Sequence, residues 1–336
     1  MNELLRSGMM VGQAGANRNG MDGLNRASGA PRGINRRTVW QRMRASAPYY
    51  LLMLLPLALL LVFKYYPMYG LQLAFKDYKT RLGIVNSPWV GLKHFNQFLT
   101  ASSAWNVIRN TLLISIYSLL LGFPAPILLA VCLNESPSRR FRKSVQMITY
   151  MPYFISTVVL VSMIIQFTDI SSGLVNQMVR GMGGSAINFM GERRYFRLIY
   201  VLTGIWQGAG YSAVIYLAAL SGVNPELYDA ATVDGASKFR RILNVDLPSI
   251  TPTIRILFIL NTGSILSVAF EKIYLMQNNI NLSISEVIST YIYKMGLQNS
   301  NYSYSTAAGL FNSVISFAMV FITNTICRRF SDGGLW

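Results

Sequence analysis

A polar stretch between two long apolar segments, residues 224–248, carries the most distinctive residue spacing of this chain. An acid is followed by two alanines, three residues, a glycine, nine residues and an apolar-x-Leu-Pro ending; these positions are Asp229, Ala230, Ala231, Gly235, Val245, Leu247 and Pro248. Because alanine and glycine have little or no side chain, a partner protein can approach their backbone closely. The spacing therefore predicts a surface on which a partner protein docks.

The same stretch predicts a short helix. Asn224 is a favoured N-cap and Pro225 a favoured first helical residue. Glu226 and Asp229 place negative charge near the positive end of the helix dipole. Pro248 is expected to limit helix continuation into the next apolar segment. An ordinary amphipathic loop helix between two spans is the alternative interpretation.

The composition is that of a membrane protein, since 52% of residues are hydrophobic and only 13% are charged. Apolar runs near the ~20 residues that span a bilayer recur along the chain. We expect an all-α membrane protein with six transmembrane helices, at about 46–66, 110–133, 145–168, 197–221, 253–273 and 305–327.

Positive charge beside the spans predicts their orientation, because basic residues stay on the cytoplasmic side. Basic residues are frequent in the tail 1–44, in the loop 134–144 and directly after the last span, at Arg328 and Arg329. Both termini, and the docking stretch with Lys238, Arg240 and Arg241, are therefore expected in the cytoplasm.

Three segments are predicted along the chain. Residues 1–44 are a basic tail that we expect to be disordered. Residues 45–330 form the transmembrane domain, with the docking helix at about 224–237, and residues 331–336 are a short cytoplasmic tail.

The net charge of +17 does not predict a nucleic-acid partner, because the basic residues lie in the tail and beside spans without a binding motif. The loops expected outside are also basic. Their cations anchor the spans and contact a binding protein, or they attract an anionic substrate; these residues are Lys76, Lys79, Arg81, Lys93, Arg180, Arg193, Arg194 and Arg197.

Several chemistries are missing from the sequence. There is no phosphate-binding G-x-x-x-x-G-K-[ST] loop, hence no ATPase site of that kind, and no catalytic or metal-binding constellation. Cys132 and Cys327 imply neither a disulfide framework nor a metal site. Glu271, Lys272 and Arg255 are expected near span ends. The scarcity of acids within spans argues against a proton- or sodium-driven carrier without excluding one.

Polar and aromatic residues cluster in the fourth and fifth spans. Gly204, Gly208 and Ser212 form a small-residue face that suits close helix packing. The larger polar side chains need partners at mid-membrane, and they line a sugar path or bond between helices; these pathway candidates are Trp206, Gln207, Tyr211, Asn261, Thr262, Ser264 and Ser267.

The docking stretch resembles the EAA coupling motif of ABC importer permeases, EAA-x3-G-x9-I-x-LP, with Asp229 in place of Glu and Val245 in place of Ile. Residues about 45–330 are similar to permeases of the binding-protein-dependent carbohydrate importers, most of all the subgroup for complex oligosaccharides of aldouronate and alginate type. Membership of the carbohydrate branch rests on softer features: Asn110-Thr111, Met151-Pro152-Tyr153, Trp206, and the run Glu286 to Tyr293 followed by Gly296.

The resemblance implies a type I ABC importer fold in the cell inner membrane. It implies a heterodimer with a second permease, two ATPase subunits that hold ATP and Mg, an extracytoplasmic solute-binding protein and an oligosaccharide substrate that crosses the lipid bilayer by alternating access. It also implies that ATPase coupling is carried by Glu226, Asp229, Ala230, Ala231, Gly235, Ala236, Leu247 and Pro248.

Other functions stay open at this point. An ion-coupled secondary transporter is the alternative from another class, and a membrane-embedded enzyme lacks a catalytic cluster. Within ABC importers, peptide, phosphonate or metal-complex cargo is possible, because the motif reports the energy source and not the substrate.

Overall fold

The computed structural model describes residue 44, residues 46–263 and residues 270–330. The tail 1–44, apart from Arg44, and residues 331–336 lie outside the described residues. Within the described ranges the structure contains helices and no β-strand, as expected for an all-α protein. The first helices are α1 Ala47–Leu60, α2 Gly83–Asn86, α3 Lys93–Thr100, α4 Ser102–Gly122, α5 Pro124–Asn134, α6 Arg139–Tyr150, α7 Thr157–Phe167 and α8 Leu174–Gly181. They are followed by α9 Arg193–Ser221, α10 Pro225–Val233, α11 Lys238–Arg241, α12 Leu247–Gly263, α13 Phe270–Met276, α14 Leu282–Ser285, α15 Ile288–Tyr293 and α16 Tyr302–Phe330.

The chain divides into two compact units at Tyr66–Pro67. The described part of the first unit is α1, which continues through a π-turn at Leu61–Tyr65. Pro56 lies inside α1, where a membrane helix tolerates a proline.

The described residues include five helical runs that are long and apolar enough to cross a membrane, and one bent pair that makes a sixth. The runs are Ala47–Phe75, Ser102–Asn134, Arg193–Ser221, Lys238–Gly263 and Tyr302–Arg329, and the pair is Arg139–Phe154 with Thr157–Phe167. The prediction of an all-α protein with six spans is therefore confirmed.

The third span, predicted as one continuous helix over 145–168, is bent by 96°. Pro152 lies in a 3-10 turn at Met151–Phe154, and Ile155 is extended, with φ −72° and ψ 127°. Ser156 then starts α7 as its N-cap, because its Oγ accepts a hydrogen bond from the Val159 amide at 3.4 Å. A local proline turn followed by a cap therefore divides this span into α6 and α7.

The expectation that Pro248 limits helix continuation is wrong. Helical structure runs from Lys238 to Gly263 without interruption. A π-turn at Ile242–Asp246 comes directly before the proline, and the Leu247 amide donates to the Ile242 carbonyl. The wider turn accommodates the missing amide and the ring of Pro248, so the span begins at the docking stretch itself.

Three groups of buried apolar side chains hold the second unit together. Where α4, α7, α9 and α13 meet, the core contains Ile114, Leu160, Phe196, Val201 and Ile273. Between α5, α9 and α12, it contains Ala130, Val131, Ala213, Tyr216 and Ile250. Between α3, α4, α15 and α16, it contains Phe98, Val107, Ile288, Tyr291 and Ala308. The long helix α9 contributes to two of these groups, which places its polar residues at the centre of the unit.

Close helix packing on α9 occurs at Gly210 and not at the predicted small-residue face. A Cβ at Gly210 would overlap the Thr149 carbonyl on α6. By contrast, a Cβ at Gly208 would meet nothing within 4 Å. At Gly204 it would meet only the Lys272 Nζ, at 3.5 Å. The face formed by Gly204, Gly208 and Ser212 therefore borders open space.

Candidate coupling and transport sites

The predicted docking helix is present as α10, Pro225–Val233. Asn224 is its N-cap, because the Asn224 Oδ1 accepts a hydrogen bond from the Glu226 amide at 3.1 Å. The Asn224 Nδ2 also donates to the Glu226 Oε2 at 3.1 Å, which orders the first turn. The cap predicted from the sequence is thus the cap that forms.

Gly235 ends α10 in a Schellman turn. Its φ of +67° lies in the left-handed region, which favours glycine. The Gly235 amide donates to the Thr232 carbonyl at 3.1 Å, and the Ala236 amide donates to the Ala231 carbonyl at 2.9 Å. The glycine of the motif therefore has a backbone role that is independent of any partner.

The surface around α10 is exposed and partly apolar. Glu226, Asp229 and Ala230 are exposed, while Ala231 and Ala236 are half-buried. Val233 is 88% exposed, and Phe239, which follows in α11, is 68% exposed. Exposed apolar side chains beside small residues are typical of surfaces that contact other proteins.

Tyr228 fixes α10 to the ends of two spans. Its hydroxyl donates to the Asp246 Oδ1 at 2.5 Å. The Asn134 Nδ2, at the end of α5, donates to the Tyr228 hydroxyl and to the Asp246 Oδ1, each at 3.3 Å. Burial and the hydrogen bond with Asp246 raise the pKa of Tyr228 to about 12. We call Asn134, Tyr228 and Asp246 the tether.

A second connection runs from α11 to the loop after α5. The Arg241 guanidinium forms an ion pair with the Glu135 Oε2 at 2.6 Å. In addition, Arg142 on α6 donates to the Asn134 carbonyl at 3.3 Å and to the Ser136 carbonyl at 3.1 Å. The docking stretch is thereby linked to α5, α6 and α12.

The sequence analysis did not identify the tether. The available signal was Asp246, an acid at the x position of the apolar-x-Leu-Pro ending, close to an apolar span. Leu247 and Pro248, predicted as coupling residues, lie at the start of α12, and Leu247 packs against the core between α5, α9 and α12.

Two of the predicted pathway aromatics, Trp206 and Tyr211, are about half exposed on α9. The Tyr211 ring stacks on Tyr153, with centroids 4.0 Å apart and an interplanar angle of 7°. Tyr153, which lies in the turn after α6, joins the candidate group through this contact.

Gln207 donates a hydrogen bond to a backbone carbonyl at the bend in the third span. Its Nε2 donates to the Ile155 carbonyl at 3.0 Å. In the fifth span, Asn261 donates to the Leu257 carbonyl at 2.7 Å and Thr262 to the Ile259 carbonyl at 2.8 Å, within their own helix. Ser264 and Ser267 lie outside the described residues.

A cavity of about 310 Å³ lies along the small-residue face of α9. Its lining includes Ser118, Gly204, Gln207, Gly208, Ser212 and Lys272. Lys272, expected near a span end, is buried on α13 and donates to the Tyr200 carbonyl at 3.0 Å. The structure thus brings Gln207 together with a cation and two hydroxyls.

Five of the eight basic residues predicted in outside loops have a defined environment, and three of these five lie on α9 rather than in a loop. Lys76 is buried and donates to the Ile84 carbonyl at 2.7 Å, and Arg180 donates to the Ser171 carbonyl at 2.6 Å, so both hold local structure. Arg193, Arg194 and Arg197 instead line a second cavity of about 490 Å³ between α4 and α9.

No group of three or more His, Cys, Asp or Glu side chains that could hold a metal ion occurs in the described part of the chain.

Comparison with known proteins identifies relatives across most of the chain. Residues 122–332 match the family model of the binding-protein-dependent transport system inner membrane component. Protein LplB of Bacillus subtilis (strain 168) is 40% identical over 287 residues, which cover 85% of this chain and 90% of LplB. The polygalacturonan/rhamnogalacturonan transport system permease protein YteP of the same organism is 40% identical over 289 residues, covering 86% of this chain and 90% of YteP.

A similar solved structure is that of a bacterial alginate ABC transporter in complex with an alginate pentasaccharide-bound periplasmic protein. One of its chains is 39% identical, with a TM-score of 0.81, and the match covers 89% of this chain and 100% of that one.

Proposed function

Given that this chain belongs to the inner membrane components of binding-protein-dependent transport systems, we propose that residues 224–237 couple it to a separate ATPase. The chain is a multi-pass inner membrane permease of an ABC importer for sugars or oligosaccharides. Permease subunits of this family lack the ATPase site, so ATP and Mg are assigned to the partner ATPase.

The observation that carries the coupling proposal is the construction of α10. Its two ends are closed by Asn224 and Gly235, and its surface is exposed. At the same time Tyr228 joins it to Asp246 and Asn134. A helix that is open to a partner and bonded to two spans converts movement of that partner into movement of the spans.

The mechanism that we propose is alternating access. Two ATPase subunits close on ATP, and Glu226, Asp229, Ala230, Ala231 and Ala236 follow the ATPase surface on which α10 is seated. The tether passes that displacement to α5 and α12, and the spans change from inward-open to outward-open. A second permease, a different chain, forms the other half of the path, and an extracytoplasmic binding protein delivers the substrate. Both termini and α10 lie in the cytoplasm.

We assign acidic, uronate-containing oligosaccharides as the cargo. The support comes from two relatives: YteP, a polygalacturonan/rhamnogalacturonan permease that is 40% identical, and the alginate transporter chain that is 39% identical. Gln207 brings an amide to the cavity along α9, and the half-exposed rings of Trp206 and Tyr211 on the same helix offer faces on which sugar rings can stack.

The test is ATP hydrolysis by the assembled complex in liposomes, with the neighbouring permease and ATPase co-expressed. Binding protein loaded with a short oligouronate is compared with binding protein loaded with a neutral oligosaccharide. We expect the oligouronate to stimulate hydrolysis more strongly. Stimulation by the neutral sugar alone would overturn the acidic cargo and keep the coupling proposal. Uptake that follows an ion gradient and ignores ATP depletion would overturn the coupling proposal.

A further inference from the structure

Lys272 is a buried cation with an incomplete set of partners. It is 5% exposed. Its Nζ donates to the Tyr200 carbonyl at 3.0 Å and lies 4.8 Å from the centroid of the Tyr200 ring. Among the described residues, no carboxylate lies within ion-pair distance of it. Removing an ammonium from water is strongly unfavourable unless an opposite charge is close, so a buried lysine without one is unusual.

The space beside the ammonium is large enough for a ligand group. The Lys272 Nζ borders the cavity of about 310 Å³, at 3.5 Å from the position of a Cβ on Gly204. The residues that line the cavity include no acid. Gln207, Ser118 and Ser212 bring an amide and two hydroxyls to its wall. The cavity therefore combines one positive charge with hydrogen-bonding groups that suit sugar hydroxyls.

A second basic cavity adjoins the first. Val201 lines both of them. The second cavity carries Arg193, Arg194 and Arg197 and, like the first, has no acid in its lining. Along α9, Arg193, Arg194 and Arg197 lie seven, six and three residues before Tyr200, whose carbonyl accepts from Lys272, so they precede that contact by about one to two helical turns. An anion that enters between α4 and α9 thus meets positive charge in two successive places.

We propose that Lys272 determines substrate specificity by acting as the counter-ion of a sugar carboxylate during passage along α9. The inference rests on the proposed function, because it requires an oligosaccharide to move through this permease. A uronate carboxylate offsets the buried ammonium, whereas a neutral sugar leaves it uncompensated. Selectivity then follows from the difference between the two ligands at one position.

The experiment measures uptake by the full complex in phosphatidylcholine liposomes. The probes are a short oligouronate and the same oligosaccharide after reduction of its carboxyl groups. The variants are Lys272→Gln, which removes the charge, and Lys272→Arg, which keeps it. A second pair is Gly204→Asp, which places an internal carboxylate beside the ammonium, and Gly204→Asn, which matches its size without the charge.

We expect Lys272→Gln and Gly204→Asp to lower the ratio of oligouronate to reduced-sugar uptake by at least about tenfold. Lys272→Arg and Gly204→Asn should keep the ratio close to that of the unaltered chain. An unchanged ratio in Lys272→Gln that co-elutes with its partners would overturn the inference, as would equal ratios for Gly204→Asp and Gly204→Asn.

Two controls keep the result decisive. Should Lys272→Gln fail to assemble, the Gly204 pair alone decides, because those variants keep the lysine. If the unaltered complex imports only the reduced sugar, the acidic cargo fails and this inference with it. If it prefers the oligouronate while every variant keeps that preference, only the role of Lys272 fails.

Discussion

Substituting Tyr228 by phenylalanine removes one hydroxyl from the tether and leaves the ring in place. The lost group bonds the Asp246 Oδ1 at 2.5 Å and accepts from Asn134 at 3.3 Å. Asp246 is fully buried, and its Oδ2 has no hydrogen-bond partner among the described residues. The buried carboxyl would then keep Asn134 as its remaining partner in the tether.

The size of the effect follows from the type of bond. A hydrogen bond to a charged group contributes about 1.5–3 kcal/mol. At about 1.4 kcal/mol for each tenfold change, its loss raises the population of states with α10 detached by about 10- to 150-fold. The helix caps at Asn224 and Gly235 remain, so α10 should stay helical while it is attached, but a helix of nine residues is too short to persist once it is detached.

Hydrogen exchange of the amides of residues 226–236 measures this population directly. In Tyr228→Phe these amides should exchange faster by that factor, and stimulation of ATP hydrolysis by loaded binding protein should fall. Tyr195→Phe, at the far end of α9, is the matched control for loss of a tyrosine hydroxyl. Unaltered exchange in Tyr228→Phe would refute the role assigned to the tether.

Four further outcomes follow from the same region and from α9. Gly235→Ala should destabilise the end of α10 by about 1–2 kcal/mol because of its φ of +67°, whereas Gly235→Asn should retain most of the coupled ATPase activity; equal activities would contradict the backbone argument. Gly210→Ala should cost about 1–3 kcal/mol of stability in thermal unfolding because the new Cβ overlaps α6, whereas Gly208→Ala, which has open space, should cost less. Glu135→Gln breaks the 2.6 Å ion pair with Arg241 on α11 and should lower the melting temperature. Exchanging the two charges in the double variant Glu135→Arg with Arg241→Glu should restore it. Because the pKa of Tyr228 is raised to about 12, the stabilisation that its hydroxyl gives to the attached α10 should be complete below the ordinary pKa of 10.0 and lost as the pH rises through about 12. Exchange of the α10 amides, corrected for the intrinsic rate, should increase over that interval and stay constant below it.

Local signals made the docking helix predictable. Asn224, Pro225 and Gly235 each act on the backbone within a few residues, so their effect can be deduced without the rest of the fold. The six spans were predictable for a related reason, since their length and apolar composition are set by the bilayer.

Features that depend on distant contacts were not predictable in this way. Tyr228 and Asp246 are separated by 18 residues, and nothing in either neighbourhood indicates that they meet. Lys272 bonds a carbonyl 72 residues earlier in the chain. The prediction that Pro248 limits the helix was wrong because the effect of this proline depends on the π-turn before it, which changes the backbone geometry. The pathway role of Trp206, Gln207 and Tyr211 stays a prediction.

Because α6 and α7 meet at nearly a right angle, rotation of α6 about its own axis moves the far end of α7 sideways. α6 connects to the docking end through Arg142, and α7 packs into the core with α4, α9 and α13. With 11 residues, α7 is an arm of about 16 Å. At a bend of 96°, turning α6 about its own axis by about 10° sweeps the tip of that arm sideways by about 3 Å. A small rotation of α6 would therefore produce a lateral displacement of ångströms at the far end of α7, with no change in the length of any helix.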